Sequence, residues 1–151
     1  MKIDFLSKGE KKDFLEKLEE QFGIESLPFL LFKLGRERIY GYSGSLSKEE
    51  LSILSREINI EKIGIYLATE EKEGIRLSFD FPSLLKEQIN KNIVEIDEKQ
   101  AEEWLRGKDL MIENKIRGFV ILKYKNDFLG CGKASQGRIT NFVPKERRIK
   151  H

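Results

Sequence analysis

The chain has 151 residues, a net charge of +2 and a hydrophobic content of 39%. This length suits one ordinary domain or two small ones that share an interface. Ten Phe and four Tyr residues supply enough apolar surface for a packed core, which argues against general disorder. The single Cys131 and the terminal His151 exclude an intramolecular disulfide and a multi-cysteine metal site.

No stretch of the sequence approaches the roughly 18 apolar residues of a membrane span. The N-terminus is rich in lysines and acids, which is not the pattern of a secretory signal. We therefore expect a cytoplasmic protein with no membrane partner.

Charge is distributed unevenly along the chain. Residues 115–151 hold ten Lys or Arg against two acids, Asp127 and Glu146, which gives this segment a net charge of +8. Because the whole chain carries only +2, residues 1–114 carry −6. A basic segment on an otherwise acidic protein indicates a polyanionic partner.

Residues 1–90 show alternating helix and strand patterns. Capping boxes at Ser7 and Ser47 begin two helices, the first ending at Phe22 and the second continuing through Leu51 and Leu54 to Ile58. The remaining predicted elements are strands at residues 29–34, 38–42, 63–69 and 75–79 and a short helix at 81–89. This order predicts an α+β domain with a mostly antiparallel sheet.

A polar link at residues 90–92 predicts a boundary before the second half. A strand at 93–96 leads to Asp97, which caps a helix containing Trp104 and ending at Gly107. An extended segment follows at 110–112. Two apolar runs at 119–122 and 128–131 then predict a β-hairpin, and a second turn is expected at 136–137.

The second half resembles the PUA domain, an RNA-binding module named for pseudouridine synthases and archaeosine transglycosylases. The resemblance rests on the helix DEKQAEEWLRGKDL, the hairpin GFVILKYKNDFLGCGKAS and the closing segment GRITNFVPKERRI. That closing segment is most similar to the PUA-like tail of certain ribosomal-RNA cytosine-C5 methyltransferases. The resemblance implies a small PUA-like β-barrel at residues 91–151.

Residues 1–90 resemble the pre-PUA domain of small archaeal and eukaryotic ribosome-biogenesis factors, with ERIYGYS placed ahead of a strand pair. Those factors consist of a pre-PUA and PUA pair without a catalytic part. The resemblance implies a pre-PUA-like domain at 1–90, an archaeal-like protein and a role in ribosome biogenesis.

The candidate RNA-binding residues combine positive charge, neutral polar groups and strand glycines. Glycines within a strand permit close backbone approach, here to a ribose-phosphate chain, although they also serve barrel bends. Phe142 either stacks on a base or closes the core. The predicted site is Lys125, Gly130, Gly132, Lys133, Arg138, Thr140, Asn141, Lys145, Arg147 and Arg148, with Arg36 and Arg38 as secondary contacts.

The residues argue for a binding protein without a cofactor. Cys131 lies inside Gly-Cys-Gly and is interpreted as a small buried hydrophobe, not as a nucleophile. No glycine-rich cofactor loop follows a strand in residues 1–90. We expect a non-catalytic protein that binds structured ribosomal RNA, with transfer RNA as the second choice. The alternative is an accessory RNA-recognition subunit for an RNA-modifying enzyme, such as a cytosine-C5 methyltransferase. In either case the acidic N-terminal half is available to ribosomal or RNA-modification proteins.

Overall fold

The computed structural model describes residues 3–150, so His151 lies outside the described residues. The first half of the chain forms a five-stranded sheet with three helices. Its elements are β1 (Asp4–Phe5), α1 (Lys8–Phe22), β2 (Leu30–Leu34), β3 (Arg38–Tyr42), α2 (Lys48–Leu54), β4 (Ile65–Glu71), β5 (Gly74–Leu77) and α3 (Phe81–Leu84).

The first sheet has the strand order β1-β2-β3-β4-β5, and every neighbouring pair is antiparallel. The α+β class and the mostly antiparallel sheet are therefore confirmed. The two-residue strand β1 was not predicted, because it is too short to show an alternating pattern. It pairs Phe5 with Phe32 at the edge of the sheet.

The helix starts are as predicted, but two helix ends are not. Ser7 forms a complete capping box with Glu10, and α1 ends at Gly23 in the left-handed conformation with φ of 87°. Helix α2 ends at Leu54, where the Ser55 hydroxyl donates to the Ser52 carbonyl oxygen at 2.8 Å and competes with the helical pattern.

Helix α3 also stops early, at Leu84 instead of residue 89. The chain beyond it is bonded to the segment that follows α1. The side-chain oxygen of Gln88 accepts from the backbone N–H of Glu25 at 2.8 Å, and the N–H of Asn90 donates to the carbonyl oxygen of Phe22 at 2.9 Å. Tertiary hydrogen bonds thus replace the helical ones that the sequence pattern predicted.

The second half forms a four-stranded sheet in the order β6-β7-β8-β9. Strand β6 pairs with β7 in parallel, and the other two pairs are antiparallel. Leu110 adds an isolated bridge to Ile139 beyond β9. The elements are β6 (Ile93–Glu95), α4 (Glu98–Leu105), β7 (Gly118–Tyr124), β8 (Asp127–Ser135) and β9 (Arg138–Asn141), followed by a 3-10 turn at Lys145–Arg147.

One apolar cluster joins the two sheets. Phe119, Ile121 and Cys131 from the second sheet belong to the same cluster as α1 and one face of the first sheet. Helix α2 packs through Leu51 on the other face of the first sheet. Helix α4 packs through Trp104 on the far face of the second. The structure is thus layered, with the shared cluster between the sheets. The domain division at residues 90 and 91 stays a prediction.

Candidate nucleic-acid interface

Asn141 holds the end of α4 against the end of β9. Its side-chain nitrogen donates to the carbonyl oxygens of Trp104 at 2.8 Å and Lys108 at 2.9 Å, and its side-chain oxygen accepts from Val143 N–H at 2.8 Å. The backbone N–H of Asn141 donates to Asp109 at 2.9 Å. These hydrogen bonds engage both the nitrogen and the oxygen of the side-chain amide within the fold. A role of Asn141 in RNA binding stays a prediction.

The two strand glycines are buried and face protein instead of solvent. A Cβ on Gly132 would lie 2.7 Å from both Trp104 and Ile139, and one on Gly130 would lie 2.8 Å from Phe79. Gly130 also has a positive φ of 87°. The absence of a side chain thus serves close packing and a backbone bend, and a role of these glycines in RNA binding stays a prediction.

Lys133 and Thr140 belong to one row across the second sheet. Lys133 pairs with Phe119 on β7 and with Thr140 on β9, so all three side chains share the face that carries the common cluster. The Lys133 ammonium lies 5.9 Å from the Phe119 ring centre and 3.2 Å from the Glu73 carboxylate of the first half. Through the contact between Lys133 and Glu73, this row reaches the region where the two sheets meet.

A cleft of about 300 Å³ lies where the two halves meet, and we call it the junction cleft. Its lining includes Ile65, Tyr66, Arg76, Phe79, Asp80, Phe142, Glu146 and Arg147. The guanidinium of Arg76 lies 4.6 Å from the Phe142 ring centre, and that of Arg147 lies 4.9 Å from the Phe79 ring centre. Two arginine–aromatic pairs, one arginine from each half, therefore line the same cleft.

Arg76, Phe79 and Tyr66 were not among the predicted site residues. Arg76 follows Ile75 in an alternating strand, a pattern that indicates only that its side chain leaves the core face. Its position over Phe142 depends on the packing of the two sheets, which no local pattern reports. Phe142 itself both packs against the common cluster and lines the cleft.

Cations of the predicted site and its neighbours carry carboxylate partners. The pairs are Arg76–Glu71 at 2.5 Å, Arg147–Asp80 at 2.6 Å, Lys133–Glu73 at 3.2 Å and Arg138–Asp109 at 3.6 Å. The Glu73 carboxylate accepts from its own backbone N–H and from Lys133, which lowers its pKa. The excess charge of residues 115–151 is thus partly neutralised in the fold by acids from residues 1–114. Such exposed pairs are worth roughly 0–1 kcal/mol each, so a phosphate can compete for the cations.

The other predicted residues lie at several places. Arg38 is exposed and lies 6.0 Å from the ring centre of Tyr66, which connects it to the junction cleft. Arg36 and Arg38 line a separate hollow of about 430 Å³ that also includes Glu37 and Glu61. The negative charges of these two acids offset the positive charges of the two arginines in this hollow.

Three predicted cations of the second half are dispersed. Lys125 lies in the turn between β7 and β8 with a positive φ of 55°, beside Tyr124. Lys145 is exposed in the 3-10 turn. Arg148 donates from Nε to the Val143 carbonyl oxygen at 3.1 Å and packs on Gly107, so it contributes to the fold.

The structure gives Cys131 no nucleophilic environment. The side chain is buried, and desolvation raises the pKa of its thiol to about 12, so the thiol is neutral at physiological pH. Within residues 3–150 no group of three or more His, Cys, Asp or Glu side chains is placed to hold a metal ion. No helix in that range is long and apolar enough to cross a membrane.

Residues 91–149 match the family model described as the methyltransferase RsmF PUA domain. Similar proteins include the ribosomal RNA small subunit methyltransferase F of Vibrio cholerae, 34% identical over 102 residues, which cover 67% of this chain and 22% of the relative. The protein of the same name from Psychromonas ingrahamii is 26% identical over 153 residues, which cover 96% of this chain and 31% of the relative.

The chain thus spans between about a fifth and a third of the length of these curated relatives. The Psychromonas alignment includes the first half of the chain as well as the second. Both relatives are bacterial, and this does not support the archaeal-like character expected from the sequence. Residues 91–149 are therefore similar to the PUA domain in the tail of ribosomal-RNA cytosine-C5 methyltransferases.

Proposed function

We propose that this chain is an RNA-recognition unit that binds structured ribosomal RNA and carries out no catalysis itself. Two domains, residues 1–90 and 91–151, present one RNA-binding face at their junction. The observation that carries the proposal is the match of residues 91–149 to the RsmF PUA domain. The relatives are named for small-subunit ribosomal RNA, which makes that RNA the first ligand to test.

The proposed face includes the side chains that are exposed or half-exposed near the junction. Lys133, Arg138 and Arg147 have side-chain exposures of 36%, 53% and 47%. Each is held in place by a carboxylate, and Lys133 and Arg138 can exchange that partner for a phosphate at little cost. Thr140 lies opposite Lys133 and supplies a hydroxyl for a ribose or a base edge.

The direct test is the binding of a fluorescently labelled fragment of small-subunit ribosomal RNA over a range of salt concentrations. Neutralisation of phosphates releases counterions, so the logarithm of the affinity falls linearly with the logarithm of the salt concentration. We expect a steep fall. If structured ribosomal RNA does not bind even at low salt, the proposal is wrong.

A triple variant locates the face. Lys133→Ala, Arg138→Ala and Arg147→Ala together remove three cations, and the salt slope should decrease by about one for each lost phosphate contact. The matched control removes three exposed lysines of α1, as Lys8→Ala, Lys11→Ala and Lys12→Ala, so the net charge changes equally. Equal weakening in both variants would show attraction by net charge alone and would contradict the assignment of the face. Arg148 is left unchanged because of its packing on Gly107.

The alternative is that the chain supplies RNA recognition to an RNA-modifying enzyme, such as a cytosine-C5 methyltransferase acting on ribosomal or transfer RNA. Two facts support this alternative. The relatives are named as ribosomal RNA methyltransferases, and the chain covers only 22% and 31% of their length. Two measurements separate the alternatives. The chain alone should transfer no methyl group from labelled S-adenosylmethionine to RNA, and under the alternative it should raise the RNA affinity of a separately supplied methyltransferase. The acidic first half is the surface we propose for such protein contacts.

A further inference from the structure

We propose that the junction cleft takes one unstacked nucleobase of the bound RNA, stacked on the guanidinium planes of Arg76 and Arg147. This inference rests on the RNA binding proposed above and specifies which part of the RNA enters the cleft. It assigns a role to Arg76, which lies in the first half of the chain, outside the matched PUA region.

The geometry of the two arginines favours stacking. Each guanidinium lies over an aromatic ring, at 4.6 Å for Arg76 on Phe142 and 4.9 Å for Arg147 on Phe79. A guanidinium with one face on a ring has a second planar face for another π system. The side chains of Arg76 and Arg147 are 27% and 47% exposed, so part of each is open to solvent.

The charges in the cleft favour a neutral planar group over a phosphate. Glu71 accepts from Arg76, and Asp80 accepts from Arg147. Glu146 is a third acid and lines the cleft itself. Carboxylates therefore occupy an edge of each guanidinium and offset its charge, whereas a nucleobase needs only the planar faces. Three acids thus face two arginines in the cleft, whereas Lys133 and Arg138 have one carboxylate partner each, so those two cations serve a phosphate better.

The size of the cleft limits what can enter. A volume of about 300 Å³ lies at the lower end of the range for small-molecule pockets. One flat ring fits in such a space, whereas a base-paired helix is far too large. Protein recognition of RNA sequence mostly uses bases that are already unpaired in loops and bulges and that stack on aromatic or arginine planes. The cleft therefore matches a bulged or loop nucleotide beside a structured region.

The test compares two RNA hairpins in binding to the full chain. One carries a single bulged 2-aminopurine, whose fluorescence decreases on stacking, and the other has the same nucleotide paired. The wild-type protein should bind the bulged hairpin about 5- to 150-fold more tightly and quench its fluorescence, as expected for one stacked base.

Lysine substitutions separate stacking from charge. The double variant Arg76→Lys and Arg147→Lys keeps both charges and loses both planes, so it should lose the preference for the bulge and the quenching. Its affinity for the paired hairpin and its salt slope should not change. The control carries Arg56→Lys and Arg117→Lys, two exposed arginines outside the cleft, and should behave as wild type. Thermal unfolding checks the fold, and Arg147→Lys alone serves if the double variant is unstable.

The outcomes distinguish the two proposals. Equal wild-type affinity for both hairpins, or a preference that survives in the lysine variant, overturns the base-binding cleft. Salt-dependent binding of both hairpins would in that case leave the RNA-binding proposal standing. If neither hairpin binds at low salt, the RNA-binding proposal fails, and the cleft assignment fails with it.

Discussion

The side-chain nitrogen of Asn141 donates a 2.8 Å hydrogen bond to the carbonyl oxygen of Trp104, near the C-terminal end of α4. The last carbonyls of a helix lack the usual partner within it, and this one accepts both from the Gly107 N–H at 3.0 Å and from the strand side chain. The same amide also bonds Lys108 and Val143. Asn141 therefore links the helix, the following loop and the C-terminal segment.

Replacement of Asn141 should destabilise the protein. Asn141→Ala removes the side-chain partner of the Lys108 carbonyl oxygen and of the Val143 N–H, at an expected cost of about 1–3 kcal/mol in the free energy of unfolding. Trp104 is the single tryptophan, so its fluorescence during denaturant unfolding measures the change. Thr140→Ala is the neighbouring control and should cost clearly less. Equal stability of the wild type and Asn141→Ala would contradict the role given to this amide.

Gly132→Ala tests whether the strand glycine is there for packing. The new Cβ would lie 2.7 Å from Trp104 and Ile139, and overpacking of this kind typically costs about 1–3 kcal/mol. Gly9→Ala is the control, because nothing lies within 4 Å of its Cβ position and alanine favours a helix. It should not lower the melting temperature. At a temperature where Gly132→Ala is folded, its RNA affinity should equal that of the wild type, since the glycine is buried.

Cys131 should be unreactive in the folded protein. Burial raises the pKa of its thiol to about 12, whereas a free cysteine titrates at about 8.5 and forms the reactive thiolate in mildly alkaline buffer. We expect negligible modification by a thiol reagent in native buffer and complete modification in concentrated guanidinium. Labelling of the native protein at the rate of a free cysteine peptide would show that the site opens.

The capping box of α1 should make stability depend on acid pH. The Ser7 backbone N–H and the Lys33 ammonium, at 2.9 Å, lower the pKa of the Glu10 carboxyl from 4.5 to about 2. Because the pKa in the folded state is below the usual value, the stabilisation is present above about pH 4.5 and is lost as pH falls towards 2.

The difference in melting temperature between wild type and Glu10→Gln should thus shrink as pH falls through that range. Glu50→Gln is the matched control. It removes a capping-box carboxylate whose pKa is also lowered, by the backbone N–H and the hydroxyl of Ser47 and without a lysine. Its pH dependence should be weaker. A difference for Glu10→Gln that stays constant from neutral pH to pH 2 would contradict the assignment.

Local sequence patterns were sufficient to predict most elements of this fold. The capping boxes at Ser7 and Ser47, the left-handed Gly23 and the hairpin of β7 and β8 each depend on residues close together in the chain, and all are confirmed. The early ends of α2 and α3 were missed because side-chain bonds at Ser55 and Gln88 decide them.

The candidate site was less predictable because its geometry comes from distant residues. Basic charge in the second half is visible in the sequence, but the acids that pair with it, such as Glu73 and Asp80, lie in the first half. The glycines of β8 looked like an open surface, whereas the structure packs them against Trp104 and Phe79. The sequence does not single out Arg76, because its role depends on its position over the Phe142 ring in the folded protein.

The apolar cluster that joins the sheets also affects how the two halves of the chain can evolve. A chain cut or recombined at residues 90–92 would separate Phe119, Ile121 and Cys131 from their partners in the first half and expose both sides to water. We therefore expect residues 91–151, produced without the first half, to be poorly soluble. Selection should therefore keep the two halves together as a single evolutionary unit, and the alignment of 96% of the chain with the Psychromonas protein is in keeping with that.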